Sequence, residues 1–179
     1  MSRHRIFIAI NLSDNIKEKL SQFSYDLPLR WTKKDNLHIT LIFLGYCSDQ
    51  DLGKVCSIVK ETVTKHSSFS MKLDKICYGP KAAIPPRMIW ALGEKKEELS
   101  RLIKDLEKSL GMNGNEFSPH VTLARVKTWQ WKLIEPEERP EIEKDISLNF
   151  KVTSIDVMES KLKREGPQYV ILERASLIL

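Results

Sequence analysis

His-Ile-Thr-Leu at positions 38–41 and His-Val-Thr-Leu at 120–123 lie 82 positions apart in a chain that has four histidines in all. No other feature constrains the fold as strongly. Each copy sits in an apolar run, "LHITLIFLG" from Leu37 and "PHVTLARV" from Pro119, of the kind that forms a buried strand. In a strand, residues i and i+2 project from the same face. His38 and Thr40 therefore point together, as do His120 and Thr122. A buried imidazole needs a hydrogen-bond partner. If the two halves face one another, two imidazoles and two hydroxyls converge on one cleft. The plain alternative is a pair of structural histidines left by duplication of the two halves, which leaves unexplained why a polar residue occupies an apolar strand twice.

The rest of the chain supplies strands and helices around these two segments. Arg5 to Asn11 reads as a buried strand. Ser13 is placed to cap a helix that carries Ile16, Leu20 and Phe23 at helical spacing. Leu29 to Thr32 and Leu37 to Leu44 read as strands, the second ended by Gly45. A helix from Ser48 to about His66 shows Leu52, Val55, Cys56, Val59 and Val63 on one face. Phe69 to Tyr78 alternates as a strand does, "GPKAAIPP" (79–86) is a loop that could overhang a site, and Arg87 to Leu92 is a further strand. Glu94 to Leu110 is a helix striped by Leu99, Leu102, Ile103 and Leu106, followed by a turn at "GMNGN". His120 to Val126 is a strand, and Trp129 to Pro140 is irregular or briefly helical. Phe150 to Leu162 and Gln168 to Ile178 read as a final strand pair. Strands and three helices mix without a regular βαβα alternation, which favours an α+β fold with antiparallel sheets. No linker divides residues 1–179 into independent domains.

Composition narrows the setting. The formal charge is +5, compatible with an anionic substrate, although the lysines are dispersed. Three cysteines, Cys47, Cys56 and Cys77, cannot all pair with one another and form no CxxC, which fits a reduced, cytoplasmic compartment. The apolar run after the basic N-terminal residues is too short for a signal-peptide core. No segment is long enough to cross a bilayer, so no membrane association is expected.

The chemistry of the repeat points to phosphate esters. Opening a phosphodiester without a metal needs one group to activate the nucleophile and another to protonate the leaving oxygen. Imidazole can do either near neutral pH, but one ring must be neutral and the other charged, so two histidines are wanted. Threonine hydroxyls can donate to the non-bridging oxygens, where charge grows. No HxH, HxD or HExxH pattern offers a metal site, and threonine ligates zinc and iron poorly; no metal and no cofactor are expected. A GxSxG elbow and a GxxxxGK[ST] loop are both missing from the sequence. His4 and His66 read as surface residues.

Paired His-x-Thr motifs half a chain apart resemble those of the two-histidine (2H) phosphoesterases. Within that superfamily the chain is similar to the bacterial and archaeal RNA 2′,3′-cyclic phosphodiesterases, historically labelled 2′-5′ RNA ligases. The likeness runs through "RIFIAINL", "RWTKKDNLHITLIFLG", "PPRMIWALG", "FSPHVTLARV" and "VMESKLKREGPQYVIL". It implies a single bilobal α+β domain over 1–179, with two pseudo-symmetric lobes, each an antiparallel sheet backed by helices, around a central cleft. It also implies metal-independent hydrolysis of an RNA terminal 2′,3′-cyclic phosphate to a 2′-phosphate. Carried over, His38 and His120 are the catalytic pair and Thr40 and Thr122 bind the phosphate. The residues do not order the two histidines; His38 is assigned as proton donor to the 3′ oxygen and His120 as proton acceptor from water. Arg125 matches a phosphate-holding arginine of the second motif. Simple alternation points it away from His120 and Thr122, so a bulge or the strand end would have to turn it back; otherwise it is an arginine on the solvent face.

RNA with a cyclic-phosphate end, tRNA fragments included, is the partner implied, and the expected state is a monomer. Phe7, Phe43, Tyr46 and Trp31 are candidates to stack on a base, with Phe7 and Phe43 read chiefly as core. Lys33, Lys34 and Arg87 are candidates for the RNA backbone. Two other readings stay open: a 2′-5′ RNA ligase that runs the same chemistry in reverse on tRNA halves, and a non-catalytic module that binds RNA ends.

Overall fold

In β1 (Arg3–Asn11) the residues Ile6, Ile8 and Ile10 are all buried on one face, and the remaining elements are arranged around that face. The computed structural model describes residues 3–81, 83–114 and 116–179. Ala82 of the "GPKAAIPP" loop and Asn115 of the "GMNGN" turn therefore lie outside the described residues. The chain continues through α1 (Asp14–Ser21), β2 (Leu29–Trp31), a 3₁₀ turn (Lys34–Asn36), β3 (His38–Ser48), α2 (Asp49–Val63) and β4 (Phe69–Gly79). It then runs through β5 (Met88–Gly93), α3 (Glu97–Ser109), β6 (His120–Val126), the short α4 (Thr128–Trp131), β7 (Glu143–Val152), β8 (Ser154–Lys163) and β9 (Gly166–Ser176).

The named strands form one sheet in the order β7-β4-β5-β6-β3-β1-β8-β9, with β2 paired to β6. Every pairing between named strands is antiparallel. The expected two sheets are thus continuous, but the seam between them is thin: β3 and β6 share the single pair Ile39–Val121. On either side of the seam the strands match as β3 with β6, β1 with β5, β8 with β4 and β9 with β7, which gives the fold its pseudo-twofold build.

The helices cover one face of this sheet. The stripe Leu99, Leu102, Ile103 and Leu106 of α3 is buried as its spacing requires, and each such side chain contributes about 2 kcal/mol of burial. Val59 and Val63 of α2 join that core, whereas Leu52, Val55 and Cys56 pack only at its edge. The Ser48 hydroxyl accepts from the Asp51 amide at 3.2 Å and so caps α2; Ser13 precedes α1 without a side-chain cap bond. Further expectations change, and the strand expected to end at Gly45 runs on to Ser48. Glu143–Val152 is a strand with no counterpart in the sequence reading, because its pairing with β4 rescues a charged, half-exposed segment. The supposed single strand from Phe150 to Leu162 is split at Thr153 into the end of β7 and the start of β8. His4 and His66 are not free surface residues: His4 lies 2.7 Å from both Glu159 and Asp49, and His66 lies 3.0 Å from Asp105. No helix of the described residues is long and apolar enough to cross a membrane.

Candidate active-site cleft

The face of the sheet opposite the helices carries both His-x-Thr pairs. Ile39 and Val121, the seam pair, are fully buried towards the helices, so their neighbours His38, Thr40, His120 and Thr122 project to the other side. The antiparallel sense sets Thr122 across from His38 and His120 across from Thr40.

Each ring is fixed by a carbonyl two residues back. His38 Nδ1–H donates to the Asn36 carbonyl at 2.7 Å, and Nε2 lies 2.8 Å from the Thr40 hydroxyl. His120 Nδ1–H donates to the Ser118 carbonyl at 2.8 Å. With Nδ1 bound to a carbonyl, Nε2 is in each case the nitrogen that faces the cleft and holds the exchangeable proton or lone pair. Burial pushes both imidazoles below their ordinary value of 6.5. For His38 the Asn36 carbonyl opposes that shift while the charges of Lys17 and His120 add to it; for His120 the Ser118 carbonyl opposes it. His38 is the more deeply buried of the two.

Arg125 and the bulge answer one another. β6 pairs with β5 through His120–Leu92, Thr122–Trp90, Ala124–Ile89 and Arg125–Met88, with a register shift that leaves Leu123 unpaired. Leu123 and Ala124 are therefore both buried in succession, and alternation restarts one residue late. Arg125 returns to the face of His120 and Thr122, where its Nη1 and the Thr122 hydroxyl approach the same Met88 sulfur at 3.8 and 3.9 Å. Sulfur is a weak acceptor, so both donors remain available to a stronger one.

β3 repeats this device. Against β1 it pairs His38–Asn11, Thr40–Ala9, Ile42–Ile8 and Phe43–Phe7, with Leu41 unpaired. Leu41 and Ile42 are buried in succession, and Phe43 comes out on the cleft face, 69% exposed. Phe43 is thus not core. It occupies in the first half the place that Arg125 occupies in the second, five residues after the histidine.

Aromatic residues wall both histidines. Phe7, only 3% exposed, lies 5.0 Å from the His38 ring, and Tyr169 of β9 lies 5.1 Å from both His38 and Phe7. Burial raises the Tyr169 phenol, while the charges of Arg125 and Arg5 pull it down. On the other side the Trp90 indole stacks on His120 at 3.9 Å and 20°. Trp90 lies flat because Gly79 has no side chain: a Cβ there would fall 2.1 Å from the indole.

Behind His38 is a buried cation. Lys17 of α1, 6% exposed, donates to the Asp35 carbonyl at 3.1 Å, and the Asn36 side-chain Nδ2 donates to the Pro167 carbonyl at 2.7 Å. The 3₁₀ turn whose Asn36 carbonyl holds His38 is thus tied to α1 on one side and to β9 on the other. Asp156, 1% exposed, is the register partner of Ala9 and receives a two-pronged bond from Arg174 at 2.9 Å.

Of the remaining candidates, Trp31 pairs with Ala124 on the helix side and stacks on Tyr25, so it does not line the cleft. Lys34 is engaged by Glu18. Arg30, the register partner of Arg125, was not picked out by the sequence reading; nor were Trp90, Tyr169, Lys17 and Met88. Among the described residues no three of His, Cys, Asp and Glu gather as a metal-holding group.

The sequence matches the family model described as LigT like Phosphoesterase over residues 10–90 and 92–169. A protein of Thermotoga maritima named RNA 2′,3′-cyclic phosphodiesterase is 32% identical over 180 residues, which span 94% of this chain and 92% of that protein. One of the same name from Methanocaldococcus jannaschii is 29% identical, with 94% and 98% covered. Among solved structures, a Thermus thermophilus protein superposes with a TM-score of 0.78 at 26% identity, covering 97% of each chain. Escherichia coli LigT complexed with 3′-AMP superposes with a TM-score of 0.77 at 21% identity, covering 99% of this chain and all of that one; at that identity the likeness concerns the fold.

Proposed function

The chain belongs to the LigT-like phosphoesterase family, and on that premise we propose that it hydrolyses the terminal 2′,3′-cyclic phosphate of RNA to a 2′-phosphate. The observation that carries this reading is the pair of imidazoles, each fixed through Nδ1 by a carbonyl and each turning Nε2 to one shared cleft.

In the reaction, the cyclic phosphate sits between the two rings. His120, the more solvent-accessible, takes a proton from an incoming water, whose oxygen forms the new bond to phosphorus. The P–O3′ bond breaks, and His38 Nε2 gives its proton to O3′. A lowered proton affinity makes the His38 imidazolium a stronger donor, and the phosphate charge arriving beside it offsets the burial that disfavours that cation. The step leaves His120 charged and His38 neutral, and exchange with solvent resets both. Thr40, Thr122 and Arg125 hold the non-bridging oxygens, with the guanidinium able to engage two at once. When His38 is charged, its Nε2–H no longer needs the Thr40 proton, which frees that hydroxyl for the phosphate. One histidine from each half makes the single bilobal chain the working unit, and RNA ends such as tRNA fragments are its substrates.

Product analysis on an oligonucleotide ending in a 2′,3′-cyclic phosphate tests this. Conversion to a 2′-phosphate in EDTA is expected, with His38→Ala and His120→Ala each slower by about 10²–10⁴-fold. Full turnover by both variants would sink the mechanism. The same analysis on paired tRNA halves reports any 2′-5′ joining.

A further inference from the structure

The cleft face does not stop at the two motifs. Two bulges keep it going along β3. The first, at Leu41, returns Phe43 to the face of His38. The second leaves Leu44 unpaired between Phe43–Phe7 and Gly45–Ile6, and Gly45, at φ 77°, takes the left-handed conformation that such a bulge favours. Tyr46 is thereby returned to the same face, opposite Arg5. One side of the β1–β3 ladder thus reads Asn11–His38, Ala9–Thr40, Phe7–Phe43 and Arg5–Tyr46. Without the extra residue at Leu41 Phe43 would turn inward, and without the second at Leu44 Tyr46 would do so instead.

This end of the ladder is open. Phe43 is 69% and Tyr46 66% exposed. Arg5 is exposed too, with no carboxylate partner among the described residues, and its charge reaches Tyr169 together with that of Arg125. Two large aromatic rings standing on a bare sheet face mark a surface that is covered by something in use. Three observations name the occupant. The strip is continuous with the cleft that holds His38 and His120. Its cation is uncompensated, as suits a polyanion. Tyr46 stands two same-face ladder pairs beyond Thr40, about 13 Å at roughly 3.3 Å per residue, farther than the nucleoside attached to the scissile phosphate extends.

We propose that Arg5 and Tyr46 form a subsite for the nucleotide that precedes the cyclic-phosphate terminus of a single-stranded RNA, with Tyr46 stacking on its base and Arg5 meeting its phosphodiester. The inference rests on the proposed hydrolytic function and extends it from a terminal group to a chain. Base–aromatic stacking tolerates any base, so the subsite selects for length and single-strandedness rather than for sequence.

The test compares adenosine 2′,3′-cyclic monophosphate with a dinucleotide and a hexanucleotide ending in the same group. Wild type is expected to turn over the dinucleotide with a higher kcat/KM than the mononucleotide. Tyr46→Ala should lose about 5- to 150-fold on the dinucleotide, the range that one stacked base supplies, and stay within about two-fold on the mononucleotide. Tyr46→Phe should keep the gain, since the ring is retained. Arg5→Gln should flatten the dependence of hexanucleotide binding on salt by about 0.7 in the log–log slope. Equal losses on all three substrates, or no gain from mono- to dinucleotide in wild type, would overturn the subsite. So would a change in self-association of Tyr46→Ala with unchanged RNA kinetics. If wild type hydrolyses none of the substrates, the hydrolytic reading fails, and the subsite is then read by fluorescence anisotropy with a hexanucleotide bearing a 2′-phosphate. Weaker binding by Tyr46→Ala upholds it, and equal binding by both proteins overturns it.

Discussion

Replacing Gly79 with alanine tests whether His120 depends on the indole beside it. The new Cβ would meet Trp90 Cδ2, Cε3 and Cε2 at 2.1, 2.4 and 2.5 Å, whereas ordinary contact begins at 3.4 Å. Relief therefore needs a retreat of 1.3 Å, the difference between 3.4 and 2.1 Å. The indole is already stacked on His120 with ring centroids 3.9 Å apart, so most of that movement is passed to the imidazole. A displacement near 1 Å at a reacting group costs about 10²-fold in rate. The overpacking itself costs about 1–3 kcal/mol, a fall in Tm of about 2–12 °C for a chain of this size. The assay is kcat/KM on a cyclic mononucleotide at a temperature well below the lowered Tm. A loss near 100-fold is expected, and Trp90→Phe in the Gly79→Ala background should recover at least ten-fold by making room for the methyl group. A Gly79→Ala protein that melts earlier yet turns over at the wild-type rate would refute the claim that Trp90 positions His120.

Other expected outcomes are independent of that one. Burial pushes both imidazoles below their ordinary 6.5, and the proposed mechanism needs one charged and one neutral, so the pH profile of kcat/KM should peak below pH 6.5 and fall as the pH rises and the charged partner is lost. Lys17→Met removes a cation that pushes His38 down and should move that peak upward in pH. Arg125→Gln should lower kcat/KM by about ten-fold or more, the worth of a hydrogen bond to a charged group; no change would mean that the bulge does not bring Arg125 to the phosphate. Arg174→Met leaves the buried Asp156 carboxylate without its two-pronged partner. Because solvent reaches the Arg174 end, the cost falls at the lower end for such pairs, about 3 kcal/mol, measured as a Tm lower by roughly 6–12 °C.

What could be read from the sequence was the part written in local pattern. The two His-x-Thr segments, the stripe of α3 and the strand character of β1, β3 and β6 all follow from residue spacing within a few positions. Arg125 was a harder case. Period-2 counting sends it to the wrong face, and the signal that corrects it is the adjacent apolar pair after each threonine, Leu41-Ile42 and Leu123-Ala124, which marks a bulge in both copies. Phe43 defeats period-2 counting for the same reason, being an apolar residue in an apolar run that the bulge turns outward. Lys17, Trp90 and Tyr169 are tied to the histidines by strand order and cross-sheet packing. No spacing rule links position 169 to position 38, and a buried lysine on α1 looks like any other helical lysine until the fold closes over it.

The last two strands lie beside the first. β8 pairs with β1, and 147 positions separate Ala9 from its partner Asp156. As the chain emerges from a ribosome, β1 and β3 can meet early, but the outer flank of β1 stays an unpaired edge until nearly all the chain has been made. Met158 and Tyr169, which complete the surroundings of Phe7 and His38, arrive only then. The first motif in the sequence is thus the later of the two to be finished, and loop closure over this distance makes it a slow, late event in folding. A nascent chain therefore holds no complete cleft, and a cut midway through the gene would separate β1 from the hairpin it needs rather than release two self-sufficient lobes.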